Sequence, residues 1–455
     1  MKRVVWICLM LFCLVSLAFA QEKKELSMEE MVVTESKLPQ SPDEITHKID
    51  VVSREEIDNL NLNNRNLSEA FRYLPGVFVN PLSRNDANWG TYGGLGPKYN
   101  SYLLDGLPID SFVDTMSLEG IYLQRAEIHR GPAGVLYPNY MTMDFAGNQS
   151  ALAGISNLIT KDKISSPFSS IAIGYGSFNT IYTRLYHEGL KGDFHYFLGG
   201  LYEQSDYKNY GTNPSWLNMI DDPDYKKAKL FFKTTYYISP NQKISLFAHH
   251  TQHTGDTGRP NRGYDHQYDL INAIYENQLS KDLILQAKAG YRYYHRSWQE
   301  DNYPTSLSLR EKDGVKQNIL PFDVSLNYKH LGKSLLTLGV DAQLSSYDTY
   351  AEPNGPKTYG NKAKASNLGL YVQEKLIVDK WVLRLGGRFN HTRHNYDLIG
   401  SVVPEVDSKS WNKFLWTAGV RYNVTDNLAF YANGGSSFLA PSAKSIGGTF
   451  AGYQV

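Results

Sequence analysis

Histidine side chains gather in one stretch of the chain, at His249, His250, His253 and His266. Imidazole is a ligand for haem iron and for transition-metal ions, so this group could bind either of them. The alternative is a polar loop that contains histidine without binding anything. The sequence leaves both interpretations open.

Carboxylates gather in a second stretch, at Asp221, Asp222 and Asp224. Their hard oxygen atoms suit calcium, although acidic residues in an exposed loop are usually only solvated. The other carboxylates are too scattered to nominate a general acid and base. The chain also has neither a Gly-x-x-x-x-Gly-Lys-Ser/Thr phosphate loop nor a Gly-x-Ser-x-Gly elbow. We therefore expect no enzyme activity, no catalytic residues and no resident cofactor.

Composition argues against two further classes of protein. Lys plus Arg and Asp plus Glu both number 46, so no concentrated basic surface favours a nucleic-acid partner. Both cysteines, Cys8 and Cys13, lie in the apolar N-terminal segment. A mature chain without that segment would have no thiol site, zinc finger or disulfide.

The N-terminal segment has the features of an export signal. A Lys-Arg pair precedes an apolar run over residues 4–17, and Ala-Phe-Ala at 18–20 fits the pattern that signal peptidase accepts. We predict that residues 1–20 are a signal peptide, cleaved after Ala20. An uncleaved membrane anchor is the alternative, because the run approaches the roughly 17 residues that can just span a bilayer.

Residues 37–163 have the mixed pattern of a small α+β domain. Ser53 followed by two glutamates predicts a capped helix, and residues 66–74 predict a short helix that Pro75-Gly76 ends. Short apolar strands are predicted among Gly, Pro and Asn-rich turns, at residues 77–79, 102–104 and 126–129. The segment has the size of an ordinary domain.

From residue 164 onward, apolar and polar residues alternate in successive segments with no helix signal. The period of two is plain over residues 283–292, 336–345, 381–390 and 416–424. Such alternation places apolar side chains on one face of each strand. The strands of a soluble β-sandwich could alternate in the same way. The lengths of the connections between the strands must therefore distinguish a sandwich from a membrane barrel.

The connections alternate between tight and long. The tight ones are residues 190–193, 239–242, 280–282, 331–333, 378–380 and 425–427, and the long ones are 206–225, 253–267, 301–314, 348–364 and 398–410. Short periplasmic turns and long extracellular loops are typical of a membrane barrel. Aromatic residues near the tight turns would form the periplasmic girdle, among them Tyr236, Tyr328, Trp381 and Tyr422. We predict a transmembrane antiparallel β-barrel over residues 164–455.

The predicted sheet is too small to close. Counting gives about thirteen strands on this scheme, an odd number, whereas plugged barrels carry about 22. In lipid, an open sheet edge leaves unpaired N–H and C=O groups that cost several kcal/mol each. The barrel is therefore predicted to be incomplete, and the chain to be a fragment or a truncated gene product.

Three motifs in residues 37–163 resemble the plug domain of TonB-dependent outer-membrane receptors, in the order and spacing of that family. They are LSEAFRYLPGV at 67–77, YLLDGLPI at 102–109, and AEIHRGPA at 126–133 with Leu136-Tyr137. NLITK follows at 157–161, where the plug of this family normally ends and the barrel begins. The resemblance implies an α+β plug, over residues 37–163, inside the barrel lumen.

A further segment resembles the TonB box of this family. It lies in the predicted flexible N-terminus, residues 21–36, and its proposed TonB-binding residues are Glu30, Met31, Val32, Val33 and Thr34. Its β-branched residues favour an extended conformation that can add a strand to a partner's sheet edge. An ordinary apolar patch in a disordered N-terminus is the alternative.

The resemblance implies active uptake of a scarce metal chelate across the outer membrane of a Gram-negative bacterium. The implied partners are TonB with its inner-membrane energising complex, the chelate and outer-membrane lipid. A ferric siderophore is the first expectation for the substrate. Cobalamin and haem are the alternative substrates. A non-functional truncated remnant is the alternative to a working transporter.

Site residues also follow from the resemblance. Glu127 and Arg130 match charged plug residues that pair with the barrel wall in the family. Loops at the plug apex would contact the chelate, through Arg84, Asn85, Trp89 and Tyr92 on the first and Asp110 and Asp114 on the second. Aromatic rings and arginine suit a bulky, often anionic chelate. For each of these loop residues, a solvated position is the alternative. For Glu127 and Arg130, the alternative is a static structural ion pair.

Overall fold

The fold consists of an N-terminal α+β domain followed by one large antiparallel sheet. A computed structural model describes residues 33–34, 36–59, 66–80, 89–142, 148–206, 224–256, 258–259, 261–353, 356–425 and 427–442. In these ranges no helix is long and apolar enough to cross a membrane.

The N-terminal domain is built from short strands. They are β1 (Val33–Thr34), β2 (Pro39–Gln40), β3 (Ile49–Ser53), β4 (Val77–Asn80), β5 (Trp89–Tyr92), β6 (Asn100–Leu104), β7 (Leu107–Ile109), β8 (Leu123–Arg130) and β9 (Gly154–Thr160). The five-stranded sheet has the order β3-β8-β9-β6-β7, and only its β6–β9 pair is parallel. β1 pairs with β2, and β4 pairs with β5.

Helices in this domain are short, and polar side chains start two of them. They are α1 (Arg54–Asn59), α2 (Val113–Ser117) and the 3₁₀ turns Pro42–Glu44, Leu67–Phe71, Pro97–Tyr99 and Gly120–Tyr122. Ser53 Oγ accepts a hydrogen bond from Glu56 N at 3.2 Å, and the Glu56 carboxylate accepts one from Ser53 N at 2.7 Å. This reciprocal capping box starts α1 where the sequence predicts it. The helix predicted at 66–74 is one 3₁₀ turn, begun by the Asn66 side chain.

The large sheet contains thirteen strands in chain order, as the sequence predicts. They are β10 (Phe168–Gly176), β11 (Thr180–Lys191), β12 (Phe194–Ser205), β13 (Tyr225–Ser239), β14 (Gln242–Asp256), β15 (Gly263–Gln278), β16 (Leu283–Asp301), β17 (Leu309–His330), β18 (Ser334–Pro353), β19 (Thr358–Val378), β20 (Trp381–Leu398), β21 (Ser408–Thr425) and β22 (Leu428–Gly435). Each pairs antiparallel with its neighbour in the chain. Within the described residues β10 and β22 are the two edges, and the sheet does not close.

Several segments predicted as long loops are extensions of strands. β17 has 22 residues and β19 has 21, whereas about 9–11 residues suffice to cross a bilayer. Residues 348–364 were predicted as one loop, yet β18 continues to Pro353 and β19 begins at Thr358. The prediction was wrong because strands that extend beyond the lipid are polar on both faces, as loops are.

The two faces of the sheet have opposite chemistry, and the apolar face points outward. On β20, Leu383, Leu385 and Phe389 are exposed, while Arg384 and Arg388 are buried. Leu385 is 67% exposed and Arg388 only 1%, the reverse of a soluble protein. An apolar outer face and a polar inner face are what a lipid-embedded barrel requires.

The N-terminal domain packs against the polar inner face through an aromatic cluster. The Tyr122 ring stacks on Phe197 with centroids 5.5 Å apart, and it meets Phe231 and Phe247 edge-on at 4.9 and 5.4 Å. Each such pair is worth about 0.5–1.5 kcal/mol beyond its buried area. These contacts place the plug inside the curve of the sheet.

Candidate functional site

Thr34, the last residue of the predicted TonB box, is bound by the plug. Its backbone N–H and its hydroxyl both donate to Glu127 Oε2, at 3.0 and 2.6 Å. Asn157 Nδ2 donates to Thr34 Oγ1 at 3.0 Å. Glu127 and Asn157 lie opposite each other on β8 and β9, so the plug sheet presents both partners to the same residue. Glu30, Met31 and Val32 lie outside the described residues, and Val33 begins β1.

The Glu127 carboxylate is held ionised by its neighbours on β8. Arg125 Nε donates to Glu127 Oε1 at 2.8 Å, and His129 Nε2 lies 3.0 Å from Oε2. Burial alone would raise the pKa of Glu127. The hydrogen bond and charge of His129, the charge of Arg125 and the Thr34 hydroxyl outweigh burial and lower the pKa to about 2. The carboxylate is therefore available as a charged acceptor for Thr34.

A chain of side chains continues from Glu127 to the barrel wall. His129 Nδ1 lies 3.3 Å from His47 Nε2, and His47 Nδ1 lies 3.3 Å from Nη1 of Arg384 on β20. His47, His129 and Arg384 are all buried. The end of the predicted box is thus in contact, through three side chains, with the inner face of the large sheet.

Residues 36–40, which we call the strap, begin two positions after Thr34 and cross to the barrel wall. Lys37 is its central contact: its ammonium donates to Asp323 on β17 and, at 2.7 Å, to the hydroxyl of Tyr371 on β19. Burial lowers the pKa of Lys37, and the charge of Asp323 acts against that shift. Removing one partner of a buried pair leaves an uncompensated charge, which costs about 3–5 kcal/mol.

Both ends of the strap are also bound to the barrel wall. Ser36 Oγ accepts a hydrogen bond from Gln373 Nε2 at 3.2 Å. Gln40 Oε1 accepts one from the Lys375 ammonium. The backbone of Lys37 has φ +64°, and this turn lets β2 fold back beside β1. A pull on the box would therefore load the plug through Thr34 and the barrel wall through the strap.

In the described part of the chain, the side chains of Glu127 and Arg130 bind partners in the N-terminal domain, and their predicted pairing with the barrel wall is not seen there. Glu127 binds Arg125 and Thr34, and Arg130 Nε donates to Asp50 Oδ2 at 2.7 Å. The reason is their position on β8, which lies between β3 and β9 in the middle of the plug sheet. Neighbouring plug strands reach these side chains before the barrel wall does.

The plug is instead joined to the wall by charges that the sequence prediction missed. Asp162 Oδ1 lies 2.5 Å from the Lys233 ammonium, and Oδ2 lies 2.7 Å from that of Lys243. Burial opposes ionisation, yet these two lysines hold the pKa of Asp162 below its usual range. The sequence contains a pattern that could have predicted these charges. Lys227, Lys229 and Lys233 lie two and four residues apart, which places them on one face of β13, opposite the face that carries Leu230.

The first predicted ligand-binding loop is described only in part. Arg84 and Asn85 lie outside the described residues, and Trp89 opens strand β5. Tyr92 is buried in β5 instead of exposed on a loop, and its hydroxyl bonds that of Tyr102. Burial raises the pKa of Tyr92 to about 12. The Tyr92 hydroxyl therefore faces the plug core, and its predicted contact with a chelate stays a prediction.

The two carboxylates predicted on the second loop are also buried. Asp110 Oδ1 accepts hydrogen bonds from the backbone N–H groups of Phe112 and Val113, both at 2.8 Å, and so caps α2. Asp114 Oδ2 accepts from the hydroxyl of Tyr294 on β16 at 2.6 Å. Burial and the charge of Asp110 raise the pKa of Asp114 to about 7. The carboxylates support helix α2 and its contact with the wall instead of facing solvent.

The histidines predicted as a loop cluster lie within strands, and among the described residues only His253 and His266 of this group are in ring contact with each other, with centroids 6.2 Å apart. His249 packs on the ring of Tyr122, whereas His250 points to the other face and binds Asp269 at 2.6 Å. His253 lies in β14 and His266 opposite it in β15. Across the described residues, no group of three or more His, Cys, Asp or Glu side chains could hold a metal ion. Asp221 and Asp222 lie outside those residues, and Asp224 pairs with Lys226.

Comparison with known proteins agrees with this architecture. Residues 192–454 match the family model described as TonB dependent receptor-like, beta-barrel, and residues 41–140 match that of the TonB-dependent Receptor Plug Domain. The plug match precedes the barrel match along the chain, as the N-terminal domain precedes the large sheet in the fold. The chain belongs to the TonB-dependent receptor family.

Relatives within the family transport different substrates. The vitamin B12 transporter BtuB of Vibrio vulnificus is 24% identical over 95% of this chain, and the ferrichrome outer membrane transporter/phage receptor of Escherichia coli is 22% identical over 84%. The ferripyoverdine receptor of Pseudomonas aeruginosa superposes with a TM-score of 0.65 at 18% identity over 89% of the chain. This chain spans 66%, 59% and 58% of the lengths of those three proteins.

Proposed function

We propose that this protein takes up a scarce metal chelate across the outer membrane of a Gram-negative bacterium, with energy supplied through TonB. Within this proposal, residues 30–34 are the segment that TonB binds. A ferric siderophore is the first candidate for the substrate. The apolar outer face of β10–β22 would contact outer-membrane lipid, and the plug would block free diffusion through the lumen.

The observation that carries the proposal is the double attachment of the N-terminal segment. Thr34 is bound to the plug by Glu127, and Lys37 is bound to the barrel wall by Asp323. Force on residues 30–34 would thus reach both the plug and its contact with the wall. A passive pore would have no use for such a segment.

Cobalamin is the second candidate substrate, because the vitamin B12 transporter of Vibrio vulnificus aligns with 95% of this chain. The positions predicted to contact ligand do not separate the two candidates. Arg84 and Asn85 lie outside the described residues, and Tyr92, Asp110 and Asp114 are buried. Uptake itself must therefore decide between them.

The proposal is tested by uptake of radiolabelled ferrichrome, ferrioxamine, ferric citrate and cyanocobalamin. Cells that lack their own receptors for these compounds would express the coding sequence, in the presence and absence of TonB. We expect one compound to accumulate only when both TonB and this receptor are present. Accumulation that is equal with and without TonB would contradict energised transport and would indicate a passive pore.

A further inference from the structure

A cavity of about 300 Å³ lies between the plug, the strap and the barrel wall. Thr34, Lys37 and Pro39 form one side of it, and plug residues of β8 and β9 form another. Its outer wall comes from strands β13–β16, close to the tight turns between those strands. The cavity therefore lies at the turn end of the sheet, and the N-terminal segment is part of its wall.

The cavity is rich in cationic side chains. These are Lys37, Arg125, Lys163, Lys233, Lys243 and Lys288, against the carboxylates of Asp105, Asp162 and Glu276. Most of the cations are paired. Lys233 and Lys243 share Asp162, Lys37 binds Asp323, and Arg125 binds Glu127.

Two of the ammonium groups have no carboxylate partner in the described part of the chain. Lys288 donates to the backbone oxygen of Asp105 at 3.0 Å, and its side chain is half-buried. Lys163 is exposed at the edge of the cavity. A half-buried ammonium with only a neutral acceptor retains capacity for a charge-assisted hydrogen bond to an anion.

The plug is shaped to make room for the Lys288 ammonium. Asp105 and Gly106 form the two-residue turn between β6 and β7, with φ values of +52° and +83°. A Cβ atom at Gly106 would lie 2.5 Å from Lys288 Nζ. The turn thus lets the ammonium approach the backbone and face the cavity.

We propose that this cavity accepts an oxyanion group, a carboxylate or a phosphate, of the transported chelate as it leaves the plug for the periplasm. Lys288 binds the group inside, and Lys163 binds it at the edge. Lys37 and Pro39 of the strap line the same cavity. The inference rests on the proposed function and narrows the substrate to an anionic chelate.

The binding site is tested with inorganic phosphate, added to the detergent-purified receptor and followed by broadening of its phosphorus NMR line. We expect the Lys163→Gln/Lys288→Gln double variant to bind phosphate at least about tenfold more weakly, since the loss of even one charge-assisted bond weakens binding by about that factor. Lys163→Arg/Lys288→Arg should restore binding. Lys191→Gln, at the exposed last residue of β11, is the matched control and should change nothing.

Absence of phosphate binding to the wild type, or equal binding by the double variant, would overturn the site. A second arm compares TonB-dependent uptake of ferric citrate, an anionic chelate, with that of ferrichrome. The double variant should lose uptake of the anionic chelate alone, and an equal loss of both would also overturn the inference. If the wild type binds phosphate but takes up no chelate, the proposed function fails while the anion site stands.

Discussion

A receptor that carries Val32→Pro is expected to lose energised uptake and to keep surface binding of its ligand. Proline has no backbone N–H, so it removes a donor from the strand that residues 30–34 would add to TonB. Ligand binding from outside does not need that strand. The measurement compares accumulation of the labelled substrate with the amount bound to de-energised cells.

Val32→Thr is the matched control for the proline variant. Threonine keeps both the N–H group and the β-branched side chain that favours an extended strand. It should therefore transport at the wild-type rate. Normal uptake by the proline variant would contradict the assignment of residues 30–34 as the coupling segment.

Glu127→Gln is expected to release the end of the coupling segment from the plug. The substitution keeps the shape of the side chain but removes the charge that Thr34, Arg125 and His129 all contact. A hydrogen bond to a charged group contributes about 1.5–3 kcal/mol, against about 1 kcal/mol for a neutral one. We therefore expect the released state to become about tenfold more populated.

Labelling of a cysteine at Val33→Cys by a maleimide measures that release. Both native cysteines lie in the predicted signal peptide, so the introduced thiol would be the one cysteine within residues 21–455. Labelling should be faster with Glu127→Gln and unchanged with Asp50→Asn, which removes a plug carboxylate that binds Arg130 and not Thr34. Equal labelling rates in all three backgrounds would refute the Glu127 contact.

The pKa of Glu127 also fixes the pH range over which this contact should hold. Its pKa falls from the usual 4.5 to about 2. A lowered pKa means that the stabilisation is fully present above about pH 4.5 and is lost as the pH falls through about 2. Ionisation of Glu127 should therefore not change the labelling rate between pH 5 and pH 8.

The fold was largely predictable because its strands, turns and helix starts depend on residues that are close together in the chain. The thirteen strands follow from the period of two, because each strand alternates between an apolar outward face and a polar inward face. Ser53 and Glu56 start α1, and Asp105-Gly106 makes the turn after β6, both from residues adjacent in the chain. Strand ends were less predictable because strands that continue beyond lipid have the composition of loops.

The contacts of the site were not predictable, because they join residues far apart in the chain. The sequence marks residues 30–34 and Glu127, but nothing in it shows that Thr34 meets Glu127 or that Lys37 meets Asp323. Those pairings depend on how the plug is rotated within the sheet. Patterns within single strands do not encode that rotation, so they could not predict which groups Glu127 and Arg130 bind.

The proposal that TonB binds residues 30–34 is tested most directly by site-specific photo-crosslinking between these residues of the purified receptor and the periplasmic domain of TonB. A photoreactive side chain would be placed at each of these positions in turn. If TonB binds residues 30–34 as an added strand, we expect the crosslinks to be strongest at alternate positions, because successive side chains of a strand point to opposite faces. We also expect the crosslinks to increase with Glu127→Gln. A complete lack of crosslinks at these positions, under conditions where TonB still binds the receptor, would contradict the proposal.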